Sequence, residues 1–287
     1  MRRHVVTLVS VGVALLASGC VQYIAPAGPA PLRYRDQIFS GFTKTSDITY
    51  GSAVDVGGNT VILKLDTYAP TGDTVTKRPA IVWVHGGSFC CGSKTSPEIV
   101  DEAQTFARKG FFNVSINYRL EPDGCSASAP TSSCVTAIQE AMTDAETAVR
   151  WLRSNASTYG VDTNRIAIAG SSAGAITALN VGYHANDDGV PAGATVRAAV
   201  SLSGARIFGT VERDDAPALL LHGTEDRQVP YQWAVNTVNA AADAGVAAYL
   251  TTWEGLGHVP YVERHDEIHN HTTNFLYSVL DLAHAAR

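Results

Sequence analysis

Residues 165–174, Arg-Ile-Ala-Ile-Ala-Gly-Ser-Ser-Ala-Gly, restrict what this 287-residue chain can fold into more than any other stretch. The apolar residues Ile166 to Ala169 suit a buried strand, and the Ala- and Leu-containing segment from Ala173 to about His184 suits a helix packed on a sheet. Between them sits Gly-x-Ser-x-Gly, with Gly170 and Gly174 flanking Ser172. A strand that turns this sharply into a helix forces its middle residue into a strained backbone conformation, and flanking glycines remove the Cβ atoms that would collide there. The pattern therefore holds the Ser172 hydroxyl out at the tip of the turn. Behind it, the free N–H groups and the dipole of the helix start favour developing negative charge. Five residues with three fixed positions also fit plain structural punctuation, so the flanking sequence has to decide.

The chain is long enough for one substantial core. Its 45% apolar and 17% charged residues fit a globular protein, and a formal net charge of −6 excludes the electrostatic footprint of a nucleic-acid binder. The mild acidity is read as solubility. The first 19 residues stand apart as an export signal. Arg2 and Arg3 form a positive start, residues 5–17 form an apolar stretch too short to span a bilayer comfortably, and Ala17, Ser18 and Gly19 are small residues before Cys20. Residues 16–20, Leu-Ala-Ser-Gly-Cys, resemble a bacterial lipobox, with Ala17 where such boxes favour Leu. That resemblance implies lipidation of Cys20 as the first mature residue and a place in the bacterial cell envelope. Simple cleavage with secretion is the alternative, and an uncleaved anchor a third. Residues 21–32, with Pro26, Pro29 and Pro31, read as a tether. The expected division is a signal at 1–19, a tether and N-terminal extension at 20–45, and one catalytic domain at 46–287.

In an oxidising compartment Cys90, Cys91, Cys125 and Cys134 are expected to pair rather than to catalyse or bind metal. A bridge between the adjacent Cys90 and Cys91 closes only a strained ring. One option is Cys125 with Cys134, closing the Ser- and Ala-rich loop between them; the other is that Cys90 or Cys91 ties down that loop. None of the spacings matches a zinc ribbon.

Taken in order, residues 48–53 and 60–68 alternate as an opening hairpin around Gly57, Gly58 and Asn59, an antiparallel edge. Residues 79–84 form a nearly continuous apolar run of the kind buried on both faces, and it ends in His85, Gly86, Gly87 and Ser88. Glycines directly after a buried strand let backbone N–H groups point into a site, although a tight turn alone would also use them. His85 is read as orienting that loop and not as the base. Helices are expected over 97–109, 136–155, 173–184 and 231–244, and strands over 111–120, 198–202, 216–221 and 247–253. Ile138, Met142, Ala145, Val149 and Leu152 form a core stripe on the second helix, where Asp144 is either solvated or reaches a neighbouring loop. The fold class is α/β, a mostly parallel, doubly wound sheet with helices on both faces and little or no lid. Gly86, Ser172, Asp226 and His258 all fall just beyond strand ends, where sites of such sheets lie.

These motifs resemble the α/β-hydrolase superfamily, and within it the carboxylesterases and lipases of the hormone-sensitive-lipase-like group. The residues that carry the resemblance are His85 to Ser88 (His-Gly-Gly-Ser), Asn117 to Leu120 (Asn-Tyr-Arg-Leu), residues 162–174, His222 to Asp226 (His-Gly-Thr-Glu-Asp), and Gly257 with His258. The order Ser, Asp, His is that of the superfamily. The resemblance implies a nucleophile at Ser172, a general base at His258 and an orienting carboxylate at Asp226. It implies an oxyanion hole from the backbone N–H groups of Ala173, Gly86 and Gly87. Ser88 stands where the group often has a third glycine, which leaves open which two of Gly86, Gly87 and Ser88 face the oxyanion. No cofactor and no metal is implied.

Other readings compete. Ser171 is excluded by the motif register, Glu225 is a weaker candidate than Asp226, and His222 is expected to pack at its strand end. His265, His269 and His271 are read as a solvated surface in preference to a metal site. Residues 203–215 leave no room for a large lid, so an open site is expected, suited to short acyl chains or to acyl groups on a larger carrier such as a xylan, a cell-wall glycan or a polyester. The partner is thus a small-molecule or carrier-bound ester, and the only membrane contact the lipid at Cys20. A serine peptidase of the same fold, or a silent surface-tethered binding protein, are the alternatives.

Overall fold

The computed structural model describes residue 23 and residues 25–125, 131–184 and 189–285; the signal at 1–19 and Cys20 lie outside the described residues. The chain opens with the hairpin β1 (Phe42–Val54) and β2 (Thr60–Pro70). Its turn is held by Asp55, whose Oδ1 accepts the Asn59 N–H at 2.8 Å, and Gly58 takes a φ of 81° that a side chain would resist. Six further strands follow: β3 (Arg78–Val84), β4 (Phe112–Ile116), β5 (Val161–Ser171), β6 (Ala198–Leu202), β7 (Ala218–Gly223) and β8 (Ala248–Trp253). They form an eight-stranded sheet in the order β1-β2-β4-β3-β5-β6-β7-β8. β2 runs antiparallel to both neighbours, and from β4 to β8 every pairing is parallel.

The double-sided apolar run at β3 finds its reason in two core clusters, one on each face. Ile81 and Trp83 pack toward α1 (Pro97–Lys109) and α6 (His265–Val279), through Ile99, Phe106, Ile268 and Phe275. Val82 and Val84 pack on the other face toward α2 (Ser132–Ser154), α4 (Ala173–Gly182) and α5 (Tyr231–Ala244). Alternate residues of one strand thus serve opposite layers, so no polar face is left at the sheet centre. Two single-turn helices, α3 (Ala156–Tyr159) and α7 (Leu282–Ala285), complete the elements among the described residues. Residues 203–217 contain no helix or strand between β6 and β7, in line with the expected lack of a lid there.

Three departures have local causes. The strand expected over 111–120 ends at Ile116, because Arg119 turns out of the sheet to a buried carboxylate on α2. Asp144 there accepts from the Arg119 backbone N–H at 2.8 Å and from its guanidinium at 2.9–3.1 Å, so it is buried and ion-paired, not solvated. α2 begins at Ser132 and not at residue 136, since Thr131 Oγ1 caps it by accepting the Cys134 N–H. Finally, the expected division at residue 46 falls inside β1. Ahead of that strand, Tyr34 is fully buried against Phe111, its N–H bonded to the Lys109 carbonyl, and Arg33 pairs with Asp73. Of the cysteine pairings left open, the structure has Cys125 bonded to Cys134, with Cys90 and Cys91 as free thiols whose sulfurs lie 2.8 Å apart.

Candidate active site

The turn from β5 into α4 places Ser172 at the helix start with φ 53° and ψ −118°, a conformation costly for a residue with a Cβ. The flanking glycines are needed for close approach. A Cβ on Gly174 would lie 2.0 Å from the Val84 carbonyl oxygen, and one on Gly170 would lie 2.6 Å from the same atom. β3 therefore passes directly under the elbow, and only glycine lets it. Ser171, by contrast, points away, donating to Glu98 Oε1 at 3.0 Å.

Asp226 follows β7, and His258 follows β8. Gly223 lets these two loops meet, since a Cβ there would sit 2.2 Å from the Leu256 carbonyl oxygen. His258 Nε2 lies 2.7 Å from Ser172 Oγ, and its Nδ1 lies 2.7 Å from Asp226 Oδ2. With Nδ1 donating to the carboxylate, Nε2 carries the lone pair toward the serine hydroxyl. The other carboxylate oxygen, Asp226 Oδ1, accepts the backbone N–H groups of Gln228 and Val229 at 2.9 and 3.0 Å. Burial opposes ionisation of Asp226, but hydrogen bonds from His222 and His258 and from the Val229 N–H together hold its carboxyl well below the usual carboxylate range. Its sequence neighbour Glu225 is exposed and turned outward. The loop bearing His258 is pinned in turn by Ser203 Oγ, which accepts the Val259 N–H at 3.0 Å.

His222 goes beyond the packing role read from sequence. It is fully buried, and its Nε2 lies 2.9 Å from the Val229 carbonyl and 3.1 Å from Asp226 Oδ2. A single N–H thus serves both acceptors, and the triad-like carboxylate has two imidazoles against one oxygen. Nothing local in His-Gly-Thr-Glu-Asp marks this beyond the spacing of four residues.

On the opposite side of Ser172, the loop after β3 folds tightly. Gly87 takes φ 115°, and a Cβ on it would lie 2.2 Å from the Cys91 carbonyl oxygen. Gly86 runs beside the nucleophile position, its own Cβ direction only 3.2 Å from Ser172 Cβ. Ala173, the first residue of α4, is buried at the same place. His85 secures the loop: its Nδ1 donates to the Gly86 carbonyl at 2.6 Å and its ring stacks on Tyr118 at 4.3 Å. Burial pushes the His85 imidazole down to about 4, partly opposed by its bond to Gly86, so it stays neutral.

Two hollows meet at Ser172. One, of about 280 Å³, is largely apolar, lined by Phe89, Ile138, Ile176, Ile207 and Trp233 with the Cys125–Cys134 bridge in its wall. The other, of about 270 Å³, is polar and runs past Gly86, Gly87, Glu98, Gln228 and His258. The histidines further along do not form the solvated surface expected. His269 is buried, and with His265 it closes on Asp101 of α1, while His271 faces Tyr23.

Comparison with known proteins agrees with this architecture. A family model described as BD-FAE matches residues 65–205, and one described as TAP-like protein matches residues 186–279. Phenmedipham hydrolase of Pseudarthrobacter oxydans is 36% identical over 123 residues, 42% of this chain and 23% of that protein. Para-nitrobenzyl esterase of Bacillus subtilis (strain 168) is 33% identical over 118 residues, 40% of this chain and 23% of that protein. The chain thus spans about a quarter of the length of these curated relatives. Among solved structures, the apo form of Thermogutta terrifontis esterase 2 superposes with a TM-score of 0.64 at 22% identity, covering 85% of this chain and 95% of that one.

Proposed function

We propose that this chain, which belongs to the α/β-hydrolase superfamily in its carboxylesterase and lipase branch, hydrolyses carboxylic esters through an acyl-enzyme intermediate on Ser172. The observation that carries this reading is the unbroken hydrogen-bonded line from Ser172 Oγ through His258 to Asp226, each step 2.7 Å long. Ser172 Oγ attacks the ester carbonyl carbon as His258 Nε2 takes its proton. The carbonyl oxygen becomes an oxyanion beside the backbone N–H groups of Ala173, Gly86 and Gly87, where each donor is worth about 3 kcal/mol of transition-state stabilisation. The tetrahedral intermediate then breaks its bond to the alcohol oxygen, which leaves with the proton held on His258. Water repeats the sequence: it loses a proton to His258 as it attacks the acyl carbon, and the second tetrahedral intermediate then breaks its bond to Ser172 Oγ, which takes that proton back from His258 as the acid leaves. Asp226 keeps the imidazole in the right tautomer and stabilises the imidazolium.

The two hollows support a division of the substrate. The apolar hollow is slightly below the ~300–1,000 Å³ range of pockets for drug-sized ligands, which suits a short acyl chain. The polar one suits the alcohol side, free or part of a larger carrier. Export, with lipidation at Cys20 as the one membrane attachment, belongs to the same proposal and is supported by the composition of residues 1–20.

A chromogenic ester series from acetate to palmitate, run on the chain from residue 21 onward beside its Ser172→Ala variant, tests this. The expected result is turnover falling steeply with acyl length and absent in the variant. Faster turnover of long chains than of short ones contradicts the acyl assignment, and unchanged turnover in the variant contradicts the nucleophile.

A further inference from the structure

We propose that Asp101, His265 and His269 form a binding site for one divalent ion of the zinc class, joining α1 to α6 on the face of the sheet away from the apolar hollow. His265 and His269 stand one turn apart at the start of α6, so both rings leave the helix on one side. Asp101 of α1 meets them: its Oδ2 lies 2.8 Å from His265 Nε2 and 3.4 Å from His269 Nε2. Tyr261 Oη adds a fourth oxygen, 2.7 Å from Asp101 Oδ2 and 3.0 Å from His269 Nε2. An ion held at 2.0–2.2 Å by nitrogen and oxygen in a tetrahedral shell needs ligand atoms about 3.3 Å apart. One separation, 3.4 Å, matches that value and the other three, 2.7–3.0 Å, are shorter, so an ion fits once those contacts open by about 0.3–0.6 Å.

Two further observations point the same way. Glu102 Oε2 is buried without a hydrogen-bond partner, and it lies 3.6 Å from His269 Nε2, aimed into the same cluster. A buried carboxylate oxygen left unpaired is costly unless a cation meets it. His265 Nδ1, for its part, bonds Asp266 Oδ1 at 2.9 Å. That is the arrangement in which a carboxylate fixes the ring of a metal-binding histidine, leaving Nε2 directed at the ion. Access is graded: the Asp101 and His265 side chains are about two-fifths exposed (42% and 40%), while those of His269 and Glu102 are buried beneath them. Two imidazoles with carboxylate oxygen select zinc, cobalt, nickel or copper over calcium and magnesium. The site is separate from Ser172, but Tyr261 lies three residues past His258, so an ion there would brace the loop that carries this imidazole.

The test uses the untagged chain from residue 21 onward, stripped by a chelator and titrated with zinc chloride in a calorimeter, with metal content measured after dialysis. One ion per chain at micromolar affinity or tighter is expected. His265→Ala, at a half-open position, is expected to weaken binding by about 100-fold or more, and Asp266→Asn by about 10-fold. His271→Ala and the double variant Cys90→Ser with Cys91→Ser keep wild-type affinity, and melting curves of every variant without metal show that each is folded. Cobalt(II) gives a tetrahedral ligand-field spectrum in the wild type that His265→Ala loses. No zinc above the dialysis buffer in the wild type would mean an ion-pair cluster only and would overturn the proposal. Zinc that survives His265→Ala unchanged, or that leaves with the two cysteines, overturns it equally.

Discussion

His222 and His258 both reach the same oxygen of Asp226, His258 through Nδ1 at 2.7 Å and His222 through Nε2 at 3.1 Å. His222 also bonds the Val229 carbonyl, whose own N–H returns to Asp226 Oδ1. The carboxylate is therefore fixed on both oxygens before any substrate arrives. Replacing His222 by Phe keeps the ring volume but removes the N–H. A charge-assisted hydrogen bond of this kind is worth about 1.5–3 kcal/mol. His222→Phe is expected to lose that much stability in urea unfolding and to lower kcat by about 10-fold with KM little changed. Wild-type kcat in this variant would show that Asp226 needs no second donor.

Gly174→Ala tests the elbow. The added methyl meets the carbonyl oxygens of Val84, the last residue of the central strand β3, and of His85 just after it, at 2.0 and 2.6 Å, both backbone atoms that cannot move aside. Overpacking of this severity costs about 3 kcal/mol or more. The variant is expected to melt well below the wild type and, where still folded, to lose about 100-fold in kcat/KM, because the helix start that bears Ala173 is displaced. Near wild-type behaviour would mean that the elbow is wider than described.

Asp144 and Arg119 form a buried pair, with Asp144 1% and Arg119 8% exposed. Burial works against the Asp144 carboxylate, and the guanidinium and backbone N–H of Arg119 are what keep it charged. Removing the Arg119 guanidinium leaves the buried Asp144 carboxylate with only a backbone N–H, at a cost of about 3–5 kcal/mol, whereas Arg119 would keep Glu140 at 2.9 Å if Asp144 were removed. Arg119→Met should show that loss in chemical denaturation; a loss under about 1 kcal/mol would place the pair in water.

The pH dependence of stability should carry the signature of His85. Its folded-state value, about 4, lies below the ordinary imidazole value of 6.5, so the unfolded chain takes up a proton first as pH falls. The stabilising contribution is complete above about pH 6.5 and is lost progressively down to about pH 4, amounting to roughly 3 kcal/mol. His85→Phe, which keeps a ring against Tyr118, is expected to flatten the slope of unfolding free energy over this window by most of that amount. An unchanged slope would contradict the neutral, buried assignment.

Much of this was legible from local pattern. The bounds of α1, β6 and α5 follow from apolar periodicity and the glycines that stop the helices; Ser172 stands out through its Gly-x-Ser-x-Gly turn, while Asp226 and His258 are singled out by the resemblance to α/β-hydrolases, with which their places past strand ends agree. What stayed hidden depends on residues far apart in sequence. Asp144 finds Arg119 only once α2 packs over the end of β4, and Asp101 finds His265 and His269 only because α1 and α6 share a face of the sheet. The histidine run by itself resembles a solvated helix start. Likewise, the end of β4 at Ile116 follows from a buried ion pair that strand propensity ignores.

The most direct test of the central claim is the intact mass of the protein after treatment with an activated organophosphonate ester, followed by peptide mapping. The reagent traps a serine only when its proton has a base to go to. The expected result is a single adduct on Ser172, formed rapidly in the wild type and slowed by about 10³-fold or more in His258→Ala. No adduct on folded protein, an adduct on Ser171, or equal labelling without His258 would contradict the assignment of Ser172 as the activated nucleophile.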